Sequence, residues 1–209
     1  LRKDEAAALL LKQESPDWEE LKAIVKDIQR DDQRAGSVID RMGSLLKKRE
    51  LQFEPILPHR VVDQVFTLLK SEAQFRRVEL AVELESGLPW VRGDAIHLQQ
   101  VMLNLLLNAL DAVQDVPYER RQVAVRVKRL ESNRVEVAVC DWGTGIPEER
   151  LQRIFEPFVS TKANGMGIGF AICRSIVETH GGRLWAENNP EGGATVRFTL
   201  IAVEEATLK

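Results

Sequence analysis

Two asparagines, Asn104 and Asn108, stand four residues apart in the run LQQVMLNLLLNALDAV, a spacing that puts both carboxamides on one face of a helix. The rest of that run is mostly apolar, and a buried amide without partners loses several hydrogen bonds. A neighbouring backbone group could satisfy one of them, and an amide oxygen is also a neutral ligand suited to Mg²⁺ beside phosphates. Further along, Asp141 opens the string DWGTGIP at the end of the alternating run VEVAVC. A carboxylate there can accept a hydrogen bond from an exocyclic amino group, while Gly143 and Gly145 permit a turn against which a flat ligand lies closely. A simple turn accounts for that string equally well. In RIFEPFVSTK, Ile154, Phe155 and Phe158 are expected to anchor a loop in the core, and Lys162 either approaches a phosphate or stays a solvated charge. Finally, Gly165, Gly167 and Gly169 alternate just before a helical stretch in NGMGIGFAICRSIVETHGG. Backbone amides of such a loop, backed by the positive end of the helix, suit a phosphate. No βαβ crossover surrounds these glycines and no GK[ST] follows, which excludes a dinucleotide fold and a P-loop.

The elements that must position these residues are legible in outline. FEPILP reads as a short strand and turn, residues 59–75 as an amphipathic helix, and residues 78–84 as an alternating strand. The asparagines lie on a helix over 94–114. QVAVRVKRL and RVEVAVCD, joined by ESN, predict a hairpin with one buried face. A helix over about 168–180 and a second hairpin around PEGG complete residues 53–209. Mixed helices and mainly antiparallel strands give an α+β class, a two-layer α/β sandwich. Residues 1–52 read differently, as two helices: Ala-, Leu- and Lys-rich over 1–13, then a break at ESPD, where Ser15 suits an N-cap and Pro16 the first helical position. From Trp18 to Leu46 apolar residues recur three and four apart, the pattern of a bundle seam. A hairpin this long cannot bury its stripe alone. Self-association of residues 1–52 into a four-helix bundle is the expected solution, the alternative being a hairpin folded back on its own C-terminal domain.

Composition narrows the function classes. The chain has 209 residues, 44% hydrophobic and 29% charged, which excludes collagen-like, disordered and disulfide-scaffold classes. Its net charge of −3 offers no overall positive field for nucleic acid. No apolar run reaches the roughly 18 residues of a membrane span, so no membrane contact is expected from this segment, with a membrane-anchored parent protein left open; the cytoplasmic expectation comes from the cysteine usage. Two cysteines, Cys140 and Cys173, lack metal-ligand spacing and are expected to pack in the core as thiols.

Taken in order, the stretches around Asn104 and Asn108, Asp141, Phe155 and Gly165–Gly169 resemble the N, G1, F and G2 boxes of the catalytic, ATP-binding domain of sensor histidine kinases. That domain belongs to the wider superfamily of gyrase, Hsp90, histidine kinase and MutL ATPases. GGATVRF, with Gly192 and Gly193, resembles the final glycine box, and residues 1–52 are similar to the dimerisation hairpin of the same kinases. The resemblance implies that Asp141, with Gly143 and Gly145, receives the adenine of ATP or ADP. It implies that Asn104 and Asn108 face Mg²⁺ and the phosphates, and that Lys162, Gly165, Gly167, Gly169 and Thr195 complete the nucleotide site. Hydrolysing members of the superfamily carry a glutamate base where this chain has Asn104; an amide cannot take a proton from water in that way. The resemblance therefore implies phosphoryl transfer to a histidine, and onward to an aspartate of a response-regulator receiver domain.

The chain departs from that pattern in two places. None of its three histidines, His59, His97 and His180, is followed by an acidic residue and then proline, as the phosphoacceptor of the family is. The expectation is a truncated first helix whose histidine lies upstream of Leu1, and a chain unable to phosphorylate itself. His180, at a helix end, is expected to interact with the helix dipole. Only Ala163 and Asn164 separate Lys162 from Gly165, a short lid from which moderate nucleotide affinity is expected. A serine kinase of the same superfamily, or a non-catalytic dimeric nucleotide-binding module, are the alternatives. The heptad hairpin argues against the first and the intact Asn104, Asn108 and Asp141 against the second.

Overall fold

The computed structural model describes residues 18–20, 22, 24, 51–159 and 167–203. The chain divides into two compact units, Leu1–Glu50 and Leu51–Lys209. In the first, residues 18–20, 22 and 24 are helical, Trp18 is exposed, and Lys22 pairs with Glu19 at 2.9 Å. The expected cap at Ser15 and the seam beyond residue 24 lie outside the described residues.

Among the described residues the second unit is a seven-stranded sheet with three α-helices. The strands are β1 (Glu54–Ile56), β2 (Glu79–Leu84), β3 (Trp90–Gly93), β4 (Gln122–Leu130), β5 (Arg134–Asp141), β6 (Leu184–Asn188) and β7 (Ala194–Val203). The helices are α1 (Pro58–Phe75), α2 (Ala95–Ala112) and α3 (Gly169–Thr179). The order is β1-β3-β7-β5-β4-β2, with β6 pairing the other part of β7. All pairings are antiparallel except β2 with β4. Pro58 occupies the first turn of α1, where its missing N–H costs nothing. Asp94 caps α2, its Oδ1 accepting from Ile96 N at 3.0 Å and His97 N at 3.1 Å. Strand β3 was absent from the sequence expectation, which placed no element between the strand over 78–84 and the helix over 94–114.

Alternation divides the residues of β5 between two environments. Val135, Val137 and Val139 join the main core with Leu98, Val101 and Leu105 of α2. Ala138 and Cys140 sit instead in a small second cluster with Ala124, against which Trp142 packs. The expected single buried face is thus corrected: β5 is buried along almost its whole length because β4 and β7 flank it. On the side of Ala138, Arg126 pairs with Glu83, and Arg197 with Glu136 and Glu187. These long side chains cover the small ones between them with their aliphatic stems. Both cysteines are buried, Cys173 in the main core and Cys140 in the second cluster.

Candidate functional site

Helix α2 and the ends of β5 and β7 enclose a cavity of about 590 Å³, within the range that takes a nucleotide-sized ligand. Its walls at the inner end are apolar: Leu105 and Ala109 from α2, Val139 from β5, Ala194 and Val196 from β7, and Phe170 from α3. Asp141 stands at that end as a 6% exposed carboxylate. Its Oδ1 accepts from Gly143 N at 2.9 Å and Ala194 N at 3.2 Å. Oδ2 has no partner among the described residues and is left for the cavity. Burial pushes the Asp141 pKa up, and the two backbone N–H groups oppose that only in part.

The glycines of the loop are required by close approach. A Cβ at Gly143 would lie 2.3 Å from the Ala112 carbonyl oxygen, so the loop presses directly onto the end of α2. Gly193, at φ +82°, would bring a Cβ to 2.0 Å from the Asp141 carbonyl oxygen. Those two contacts bring the helix, the loop and β7 together around one carboxylate.

Asn108 lines the cavity, and Asn104, 8% exposed, lies one turn before it on the same side of α2. A Cβ at Gly169 would come to 4.0 Å from Asn104 Oδ1, so the N-terminus of α3 faces that amide. Helix α3 starts without a side-chain cap, and Gly167 before it has φ +66°. Uncapped N–H groups at a helix start are a ready anion site. No cluster of three or more His, Cys, Asp or Glu among the described residues could hold a metal. Asn108 presents a neutral amide to the cavity, beside the carboxylates of Asp111, Asp115 and Glu149.

Asn108, Asp141 and Gly145 thus line one cavity, Gly143 packs on Ala112 and Asp141 at its edge, Gly169 faces Asn104, and Gly167 lies against Phe158 and Val159. Lys162 and Gly165 lie outside the described residues, as does the short lid. Thr195 is a correction: strand alternation turns it away from Ala194 and Val196, and its Oγ1 donates to Asn189 Oδ1 at 2.6 Å. Phe158 is another: Ile154 and Phe155 are buried, but Phe158, at φ +67°, is 80% exposed. Phe155 packs edge-on to Phe170 of α3 at 5.6 Å and so ties its loop to the cavity wall.

His180 also differs from expectation. Its Nε2 accepts from Asp94 N at 3.0 Å, which leaves Nδ1 to donate to the Ile176 carbonyl at 2.7 Å. An imidazole accepting at one nitrogen is neutral, and burial lowers its pKa accordingly. It joins the end of α3 to the start of α2 as a neutral bridge, not as a charge on a helix dipole. Asn188 and Asn189 were missed by sequence reasoning, because nothing in ENNPEGG reveals which loop they reach.

Comparison with known proteins accords with this geometry. Residues 93–204 match the family described as histidine kinase-, DNA gyrase B-, and HSP90-like ATPase. The chain is 37% identical over 172 residues to the sensor protein FixL of Bradyrhizobium diazoefficiens, an alignment covering 82% of this chain and 34% of FixL. The nucleotide-free catalytic domain of histidine kinase ThkA matches with TM-score 0.64 and 28% identity, over 72% of this chain and 96% of that one. Full-length ShkA, solved in complex with AMPPNP, matches with TM-score 0.71 and 25% identity, over 95% of this chain and 42% of its own. The chain spans about a third of the length of FixL. It belongs to the histidine kinase-, DNA gyrase B- and HSP90-like ATPases, and its second unit is the catalytic ATP-binding domain of a sensor histidine kinase.

Proposed function

We propose that the chain binds Mg-ATP in the cavity beside α2 and serves transfer of the γ-phosphoryl group to a histidine, from which a response-regulator aspartate receives it. The observation that carries this reading is Asp141: a buried carboxylate in the cavity wall, beside Val139, Ala194 and Val196, with Oδ1 held by two backbone amides and Oδ2 left over. An exocyclic amino group of a purine is the donor that such an oxygen takes. Asn108 and Asn104 would hold Mg²⁺, whose charge offsets that of the phosphates. The N-terminal amides of α3 and Gly167 would receive the phosphate oxygens. With amides where a general base would be needed to activate water, the site positions and neutralises, which is most of what phosphoryl transfer requires. Residues 1–52 would supply the homodimer.

Calorimetric titration with ATP tests the reading. Asp141→Ala should weaken binding by about tenfold or more, the scale of one lost hydrogen bond to a charged group. Asn108→Ala should reduce the Mg²⁺ dependence of binding. Unchanged ATP affinity in Asp141→Ala would remove the adenine assignment, and unchanged Mg²⁺ dependence in Asn108→Ala would remove the metal role.

A further inference from the structure

The loop 141–146 that shapes the inner end of the cavity has no regular secondary structure of its own after Asp141, yet it must hold Asp141, Gly145 and Ile146 in fixed positions. Two consecutive amides at the end of β6 meet both ends of it. Asn188 Oδ1 accepts from Ile146 N at 2.8 Å, and Asn188 Nδ2 donates to the Ile146 carbonyl at 2.7 Å. One side chain thus satisfies both backbone groups of Ile146, as a neighbouring strand would. Asn189 Nδ2 donates to the Asp141 carbonyl at 3.1 Å, while its Oδ1 is fixed by Thr195 Oγ1. The turn carrying them is itself braced: Asn189 N donates to Gly193 O at 3.0 Å, Gly192 N to Asn189 O at 3.0 Å, and Arg120 Nη2 to Glu191 O at 3.1 Å. Gly145, at φ +76°, brings its backbone so close that an added Cβ would lie 3.1 Å from Asn188 Oδ1.

We propose that Asn188 and Asn189 are positioning residues for the base: a two-amide clamp, built on the β6–β7 turn, that fixes the far end of the 141–146 loop and the carbonyl of Asp141. Neither acts on the phosphates, and neither needs to touch the ligand. The proposal rests on the reading that Asp141 receives a purine. It accounts for the observation that this loop, exposed at Thr144 and half-buried at Gly145 and Ile146, meets the turn through side-chain amides. Loss of Asn188 would free Ile146 and Gly145 and broaden the slot, while leaving the amides of α2 and α3 in place.

The test compares adenosine, ATP and inorganic tripolyphosphate on the parent, Asn188→Ala and Asp141→Ala, with thermal midpoints recorded for each. Asn188→Ala should weaken adenosine and ATP by about tenfold, equivalent to ~1.4 kcal/mol and within reach of two lost hydrogen bonds. Tripolyphosphate should bind it as it binds the parent. A change of less than threefold for adenosine, or an equal loss for tripolyphosphate, would overturn the clamp. If Asp141→Ala loses adenosine and Asn188→Ala does not, the clamp fails and the purine reading stands. If Asp141→Ala keeps adenosine, the purine reading itself fails and the clamp with it. Amide exchange in the parent is a check independent of any variant's folding: the Ile146 N–H should be protected relative to Gly145, and fast exchange there would overturn the proposal.

Discussion

Asp141 sits in a conflict between stability and binding. Its folded pKa is raised by burial, so the folded state takes a proton more readily than the unfolded chain, whose aspartates titrate near pH ~3.9. The ionised carboxylate therefore counts against folding at neutral pH, and that penalty is relieved as pH falls through the folded pKa. Asp141→Asn keeps an oxygen for Gly143 N and Ala194 N and removes the charge. Its urea midpoint at pH 7 should rise above the parent's and its adenosine affinity should fall, because an amide NH₂ would meet the purine amino group. The gap in midpoint should close in acid; a variant less stable than the parent at pH 7 would contradict the argument. Residues of this kind were legible before the fold was known. Asn104 and Asn108 were conspicuous as polar side chains in an apolar helix, and Asp141 as a charge closing an apolar strand. Thr195, placed in the site only by the resemblance, lies opposite Cys140 in the register of β7 against β5 and so turns away from the cavity. Asn188 and Asn189 were invisible because their partners lie more than 40 residues away.

At the scale of elements, the start of α2 joins three separate segments of the chain. Asp94 caps the helix through Oδ1, holds Gln52 N through Oδ2 at 3.1 Å, and donates its own N–H to His180. Phe53 packs on the His180 ring at 4.9 Å. A Cβ at Gly93 would come within 2.9 Å of both His180 and Leu98, which is why glycine precedes the cap. The chain entering this unit, the start of α2 and the end of α3 therefore share one neutral imidazole. Burial lowers the His180 pKa, aided by the nearby His97 and opposed by the Ile176 carbonyl and Asp94. In the unfolded chain the same ring takes a proton below about pH 6.5. The unfolded state then binds more protons, so stability should be full above that pH and decline as pH falls toward the lower folded value. Denaturation midpoints between pH 8 and pH 5 should show this slope, reduced in His180→Gln; an equal slope in both would locate the titrating group elsewhere. Periodicity revealed α1, α2 and α3 because each exceeds ten residues. It missed β3, whose four residues, with Gly93 and an exposed Arg92, are too few to alternate visibly.

For the whole molecule, local patterning predicted the β4–β5 and β6–β7 hairpins but could not predict the order β1-β3-β7-β5-β4-β2. That order brings β7 between β3 and β5 and sets β2 parallel to β4 across a gap of some forty residues. It is the sheet order that delivers Asp141 and Ala194 to one end of the same cavity, so the site is a consequence of non-local pairing and of α2 lying across it. Every residue described around that cavity belongs to the unit Leu51–Lys209, which has its own core and sheet. The bundle seam expected from the sequence between Trp18 and Leu46, by contrast, would need a cover beyond a single hairpin. If dimerisation belongs to residues 1–52 and nucleotide binding to the remainder, the two properties should separate on cutting the chain between the units. A fragment of residues 51–209 should fold, bind ATP within about twofold of the full chain and sediment as a monomer. The full chain should sediment as a dimer at micromolar concentration, because a four-helix bundle needs both hairpins. A fragment that folds but loses ATP would place part of the nucleotide site in residues 1–50. A full chain that stays monomeric would leave the apolar stripe to some contact other than a second copy, and the bundle would have to be given up.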